Sequence, residues 1–235
     1  ISQNIDNWSV SKIKRMGADA VKVLAWYRPD AAKKVLEAQQ QYVQKIGDEC
    51  AKHDILFLFE LLVYPLSKDL YQTKEYVEMQ NKKTDHVLES VREFSNEKYG
   101  VDVFKLESPV NVNKIADSDL NAFKEMGNIA GRPWVMLSAG AGKEEFKNVL
   151  KLAFKAGCSG FLAGRAIWLD AFMHYPNWDK IQNQLESNAK DYLDEIGEMA
   201  DKSALSWNNH VCYGKDGSDF PYDNQEFRLH YNEIE

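Results

Sequence analysis

The chain has 235 residues, with 29 Lys and Arg against 36 Asp and Glu, for a formal net charge of −7; 44% of it is apolar and 12% aromatic. That is enough hydrophobic mass to fill one good-sized core, and it excludes a mainly disordered chain. The acidic balance argues against a broad phosphate-backbone surface, so nucleic acid is not an expected partner, and the apolar runs 55–59 and 61–63, interrupted by Glu60, fall far short of the roughly 20 residues of a membrane helix.

The sequence begins at Ile1 without a charged-then-apolar leader, and its start reads as a cut in a longer chain. From there short apolar runs alternate with longer amphipathic stretches, the pattern of successive βα units on a buried parallel sheet. Strands are predicted at 19–26, 55–62, 101–107, 134–138 and 160–164. Helices are predicted at 8–16, 30–53, 84–96, 118–130 and 143–156, most of them stopped near a glycine (Gly17, Gly100, Gly131, Gly157). The polar stretch 64–83, with Pro65, reads as a long loop of the kind that often carries function. A further helix is expected over 178–205, broken at Gly197. Residues 1–205 are therefore expected to form the body, and 206–235 an acidic, aromatic C-terminal tail. Cys50, Cys158 and Cys212 are odd in number and far apart, which fits neither a disulfide framework nor a metal or redox motif and suggests a reducing, cytoplasmic setting.

Three of the five strands carry a charge: Lys22, Glu60 and Lys105. Burying an isolated charge costs several kcal/mol even after relaxation, so such residues need partners. The plainer alternative, that each snorkels to solvent from a strand end, is weaker for three together than for one. Lys105 also has a same-face neighbour in Glu107, two residues on. If the strands are parallel and close into a barrel, residues near their C-terminal ends meet in one pocket. An amine crowded by a second cation among apolar neighbours loses its proton more readily and attacks carbonyls, giving a Schiff base. A protonated imine withdraws electrons from the adjacent carbon and permits C–C cleavage, with a carboxylate to shuttle protons. The histidines, at 53, 86, 174, 210 and 230, have no ligand spacing, so neither a metal nor another cofactor is expected.

The last two predicted strands end in small residues, Ser138 to Gly142 and Gly160 to Arg165, each running into a helix. Close-approaching backbone N–H groups, a helix N-terminus and a guanidinium suit a phosphate or sulfonate. The Gly142-Lys143 pair is not a P-loop, because Leu137 and Glu144 stand where that motif needs Gly and Ser or Thr. A surface pair between Arg165 and Asp170 is the plainer alternative for the arginine.

The segments DAVKVL (19–24), FLFELL (57–62), DVFKLESPVN (102–111), PWVMLSAG (133–140) and SGFLAGRAIW (159–168) resemble, in order, the tagatose-bisphosphate aldolase family of class I aldolases, whose relatives include sulfofructose-phosphate aldolase. The resemblance implies an α/β fold, a TIM (β/α)8 barrel here lacking its first three β/α units, roughly 90 residues at about 30 per unit. It implies Lys105 as the imine-forming lysine, Glu60 as the proton shuttle and Lys22 as a substrate-binding and tuning cation. It also implies that Ser138, Gly140, Gly164 and Arg165 hold a terminal phosphate or sulfonate. The expected activity is reversible cleavage of a ketose bisphosphate of the tagatose 1,6-bisphosphate type into dihydroxyacetone phosphate and glyceraldehyde 3-phosphate. The alternatives are a sulfofructose-phosphate aldolase and a catalytically silent sugar-phosphate-binding barrel. An open five-stranded sheet exposes an apolar edge, so a homo-oligomer is also expected.

Overall fold

Each predicted strand forms, and each pairs only with its neighbours in sequence. The computed structural model describes residues 2–66 and 84–214. Strands β1 (Ala20–Trp26), β2 (Leu56–Leu62), β3 (Val103–Leu106), β4 (Trp134–Leu137) and β5 (Phe161–Leu162) lie side by side, all parallel, in the order β1-β2-β3-β4-β5. Helices α1 (Val10–Arg15), α2 (Lys33–Lys52), α3 (Thr84–Phe94), α4 (Leu120–Ala130) and α5 (Lys143–Lys155) alternate with them, and α6 (Arg165–Phe172), α7 (Trp178–Gln184) and α8 (Lys190–Ser203) follow. A βα repeat with sequential strand order is the arrangement from which β/α barrels are built.

Side-chain alternation gives the sheet two unlike faces. On one, Val21, Val23 and Ala25 of β1, Phe57, Phe59 and Leu61 of β2, Phe104 and Leu106 of β3, and Trp134 and Met136 of β4 are buried with the apolar stripes of the helices. Phe59 centres an aromatic group there, with ring centroids 4.9 Å from Phe94, 5.9 Å from Phe57 and 6.3 Å from Phe104. Close packing on this face fixes where α2 sits, since a Cβ on Gly47 would stand 2.0 Å from the Tyr99 carbonyl oxygen. The other face carries Lys22, Leu24 and Trp26, then Leu58, Glu60 and Leu62, then Val103 and Lys105, then Val135 and Leu137. It corresponds to the face that lines the interior of a β/α barrel, and both lysines and Glu60 are on it.

Two expectations need correction. The helical stretch after Trp178 is not broken at Gly197, which lies within α8 one residue after the fully buried Ile196. Its irregularity is a π-helical turn at Leu185–Ala189, where one extra residue is accommodated without a glycine. The other correction is at the strand ends: β3 and β5 are shorter than 101–107 and 160–164, because pairing stops where the chain turns toward the next helix. Of the expected loop 64–83, residues 67–83 lie outside the described residues, as does the tail from 215 onward.

Residues 205–213 pack at the N-terminal end of the sheet, where the Leu205 N–H donates to the Cys158 carbonyl at 3.0 Å. His210 is 6% exposed there, and its Nδ1 accepts from the Cys212 N–H at 3.2 Å, which requires a neutral ring. Burial, and secondarily the charge of Arg132, push its pKa below 6.5. The unfolded chain therefore binds this proton more readily, so the stability due to neutral His210 is complete above the unfolded value. It is lost as pH falls from there through the depressed folded value. Urea denaturation at about pH 7.5 and pH 5 is expected to show wild type losing more stability on acidification than His210→Gln; equal losses would contradict this assignment.

Candidate active site

The register sets the depth of each interior residue. Glu60 is directly opposite Lys105 on β3, while on β1 it is opposite Leu24, two residues beyond Lys22. Lys105 therefore meets Glu60 at its own level, and Lys22 reaches up by about 6.6 Å, two strand residues, which the length of its side chain permits. Both amines converge on one atom: Glu60 Oε2 lies 3.0 Å from Lys22 Nζ and 3.1 Å from Lys105 Nζ.

The environments of the three differ. The Glu60 side chain is 3% exposed, that of Lys105 is 17% and that of Lys22 is 49%. A carboxylate so buried is tolerable only when paired, and two amines supply that pairing. Lys22 is the solvated cation, on the wall of a cleft of about 510 Å³ between β1, α2 and the N-terminal segment. Lys105 is the enclosed one, and it pairs with Glu60 rather than with its same-face neighbour Glu107. Leu62, Leu137 and Ala139, with Leu24 and Trp26, form an apolar wall on the same interior face toward the strand ends. The ensemble can desolvate a carbonyl compound against an amine while keeping a carboxylate within proton-transfer reach.

The anion-binding candidates occupy adjacent strand ends. β4 pairs with β5 through Met136–Phe161 and Leu137–Leu162, which brings the turns after both strands side by side. Because Val135 is level with Lys105, Ser138 lies three residues, about 10 Å, nearer the C-terminal mouth. The chain turns sharply here: Ala139 (φ +44°) and Gly140 (φ +82°) are both left-handed, and the Ala141 N–H donates to the Ser138 carbonyl at 2.8 Å. A turn with two left-handed residues strongly favours glycine, and Ala139 bears a Cβ in that region at a cost of order 1–3 kcal/mol, a type of strain that clusters at ligand sites. Gly142 caps the N-terminus of α5 and Gly164 that of α6, so Arg165 is the first residue of its helix. Ser138 is 7% exposed and Arg165 is half-buried. Asp170 pairs with Lys143 Nζ at 3.3 Å.

Two further charged groups lie at the mouth: Glu107, which the sequence offered only as a same-face neighbour of Lys105, and Arg28, which it did not single out. Glu107, 1% exposed, accepts from the Val63 N–H at 2.6 Å through Oε1. Arg28, 3% exposed, holds Asp30 in a two-point contact, Nε to Oδ1 at 2.7 Å and a terminal nitrogen to Oδ2 at 3.2 Å, and donates to the Tyr64 carbonyl at 3.2 Å. The signal available for Glu107 was its spacing from Lys105; Arg28 follows β1 in a polar loop and carried none.

Among the described residues no cluster of His, Cys, Asp and Glu could hold a metal, and no helix is long and apolar enough to cross a membrane. Residues 2–170 match the profile of the DeoC/LacD family aldolases. Tagatose 1,6-diphosphate aldolase 1 of Enterococcus faecalis is 33% identical over 220 residues, covering 88% of this chain and 67% of that protein. Tagatose 1,6-diphosphate aldolase 1 of Streptococcus mutans is 31% identical over 215 residues, covering 85% and 65%. The chain thus spans about two thirds of the length of these curated relatives. Among solved structures, a Schiff-base-forming fructose-1,6-bisphosphate aldolase superposes with a TM-score of 0.56 at 16% identity, covering 83% of this chain and 64% of that one. An archaeal fructose-1,6-bisphosphate aldolase, solved with its catalytic lysine bound to the carbinolamine intermediate, gives 0.54 at 17% identity, covering 83% and 62%. At such identities the likeness is one of fold, that of class I aldolase barrels.

Proposed function

Since the chain belongs to the DeoC/LacD aldolase family, we propose that it performs the Schiff-base cleavage of a ketose bisphosphate of the tagatose 1,6-bisphosphate type, giving dihydroxyacetone phosphate and glyceraldehyde 3-phosphate. The observation that carries this reading is the single buried carboxylate oxygen shared by two lysine amines on the interior face of the sheet. The names of the curated relatives support the choice of substrate.

In this reading Lys105 is the nucleophile, being the more enclosed of the two amines and level with Glu60. Glu60 takes a proton from the Lys105 ammonium, the freed amine adds to the C2 ketone, and Glu60 returns that proton to the carbinolamine hydroxyl as it leaves as water. The protonated imine then accepts the electron pair of the C3–C4 bond as Glu60, now a carboxylate, takes the C4 hydroxyl proton and the aldehyde departs. Glu60 then gives its proton to C3 of the enamine, and hydrolysis returns the amine and releases dihydroxyacetone phosphate. Lys22 lies beside Glu60 and faces the solvated side, where substrate oxygens enter. The turns after β4 and β5, with Ser138, Gly140, Gly164 and Arg165, receive a terminal phosphate.

Borohydride reduction in the presence of dihydroxyacetone phosphate, followed by peptide mapping, tests the assignment. A stable adduct on Lys105 is expected; an adduct on Lys22, or none, would reject it. For the anion site, Arg165→Ala is expected to raise KM for the bisphosphate about 10- to 100-fold, the worth of charge-assisted hydrogen bonds to phosphate. Its effect on unphosphorylated dihydroxyacetone in the reverse reaction should be small. An unchanged KM would place Arg165 outside the site. The same groups would hold a sulfonate, so comparing cleavage of tagatose 1,6-bisphosphate with that of sulfofructose phosphate separates the two substrates.

A further inference from the structure

Glu107 is a buried carboxylate that the reaction above leaves without a role. It follows Lys105 by two residues, so alternation puts it on the same interior face, toward the mouth. At 1% exposure it must repay a large desolvation cost, and it makes a short charge-assisted bond, Oε1 accepting from the Val63 N–H at 2.6 Å.

The place of that bond matters. The ladder between β2 and β3 ends at Leu61–Leu106, one residue after Glu60–Lys105. Beyond it the Glu107 side chain takes over, tying the backbone of β2 to β3 two residues further along. On the opposite side the end of β2 is tied to β1's continuation by the Tyr27 N–H donating to the Leu62 carbonyl at 2.9 Å. Arg28 donates to the Tyr64 carbonyl at 3.2 Å. Residues 62, 63 and 64 are thus each gripped, starting two residues after Glu60.

We propose that Glu107 is a positioning residue for the Schiff-base chemistry: by pinning the Val63 amide it fixes the end of β2 against β3 and so holds Glu60 in register with Lys105. The inference rests on the aldolase reading for its kinetic consequence, while the pinning itself is read independently of activity. A carboxylate suits the task because its charge shortens and stiffens the bond to the Val63 amide.

The test compares Glu107→Ala and Glu107→Gln with wild type, by steady-state kinetics and by hydrogen exchange of the Val63 amide. Glu107→Ala is expected to lower kcat by about 10²-fold, as small misplacements of catalytic groups do, with KM changed far less. Its Val63 amide should lose protection. Glu107→Gln retains an acceptor oxygen and is expected to recover most of the lost kcat and the Val63 protection. Wild-type kcat in a folded Glu107→Ala protein, or a Glu107→Gln protein as slow as Glu107→Ala with Val63 still protected, would overturn the proposal; the latter result would make the charge itself part of the chemistry. Should Glu107→Ala not fold, Glu107→Gln decides alone: retained kcat supports the proposal, and a loss as large as that of Glu60→Gln overturns it. If wild type forms no trappable adduct, the aldolase reading fails and the positioning role falls with it. Val63 exchange in the same variants then still decides whether Glu107 pins β2.

Discussion

Lys105→Ala is expected to abolish the borohydride-trapped adduct and lower kcat by about 10⁴-fold or more, as removal of a covalent nucleophile does. The fold should survive. Glu60 keeps its contact with Lys22 at 3.0 Å, so truncating Lys105 does not leave the buried carboxylate unpaired. Melting curves of the variant and wild type should therefore lie close together. Lys105→Arg sharpens the test, because the guanidinium preserves the positive charge but does not deprotonate to form an imine. It should be as inactive as the alanine variant. Wild-type turnover in either would remove Lys105 from the mechanism, and transfer of the adduct to Lys22 in Lys105→Ala would show that the two amines are interchangeable.

Glu60→Gln is expected to lower kcat by about 10²- to 10⁴-fold, the range for a lost general acid–base. KM should change little, since the amide has the same shape and can still accept a hydrogen bond. Trapping should persist but more slowly, because the amine is present and only proton transfer is impaired. Two lysines then face each other without a counter-charge. Lys22, half exposed, can turn to water, so the electrostatic penalty should fall on the site more than on global stability. A variant in which KM rises while kcat holds would make Glu60 a binding partner of Lys22 rather than a proton shuttle.

The strands were legible because their apolar runs, such as 55–59, lack polar alternation, although only the helix-facing side is uniformly buried and Leu56 on the other side is 40% exposed. The charged residues interrupting those runs were legible for the same reason, since a Lys or Glu among apolar neighbours is costly unless several meet. That Lys22 and Lys105 share one oxygen of Glu60 was not, because it depends on the register of three strands, and no single segment encodes register. Ala139 gave no warning either. Its left-handed backbone is imposed by the turn joining β4 to α5, against the residue's own preference. The misplaced break at Gly197 has a simple origin. A glycine inside a helix lowers its stability by about 1 kcal/mol without ending it, and the packing of Tyr192 and Ile196 carries α8 through.

The sequential strand order divides the labour of the molecule in a way that bears on how such enzymes diversify. On the proposed roles, bond-making groups come from β1, β2 and β3, whereas the groups that grip the substrate's far end come from the turns after β4 and β5. The two sets sit on separate, consecutive stretches of chain, so either can drift or be exchanged without re-registering the other. A laboratory recombination joining residues 1–131 of this chain to the corresponding C-terminal portion of a relative would transplant anion preference while leaving the lysine pair and its carboxylate intact. New substrates would be acquired by grafting, with the reacting chemistry inherited unchanged.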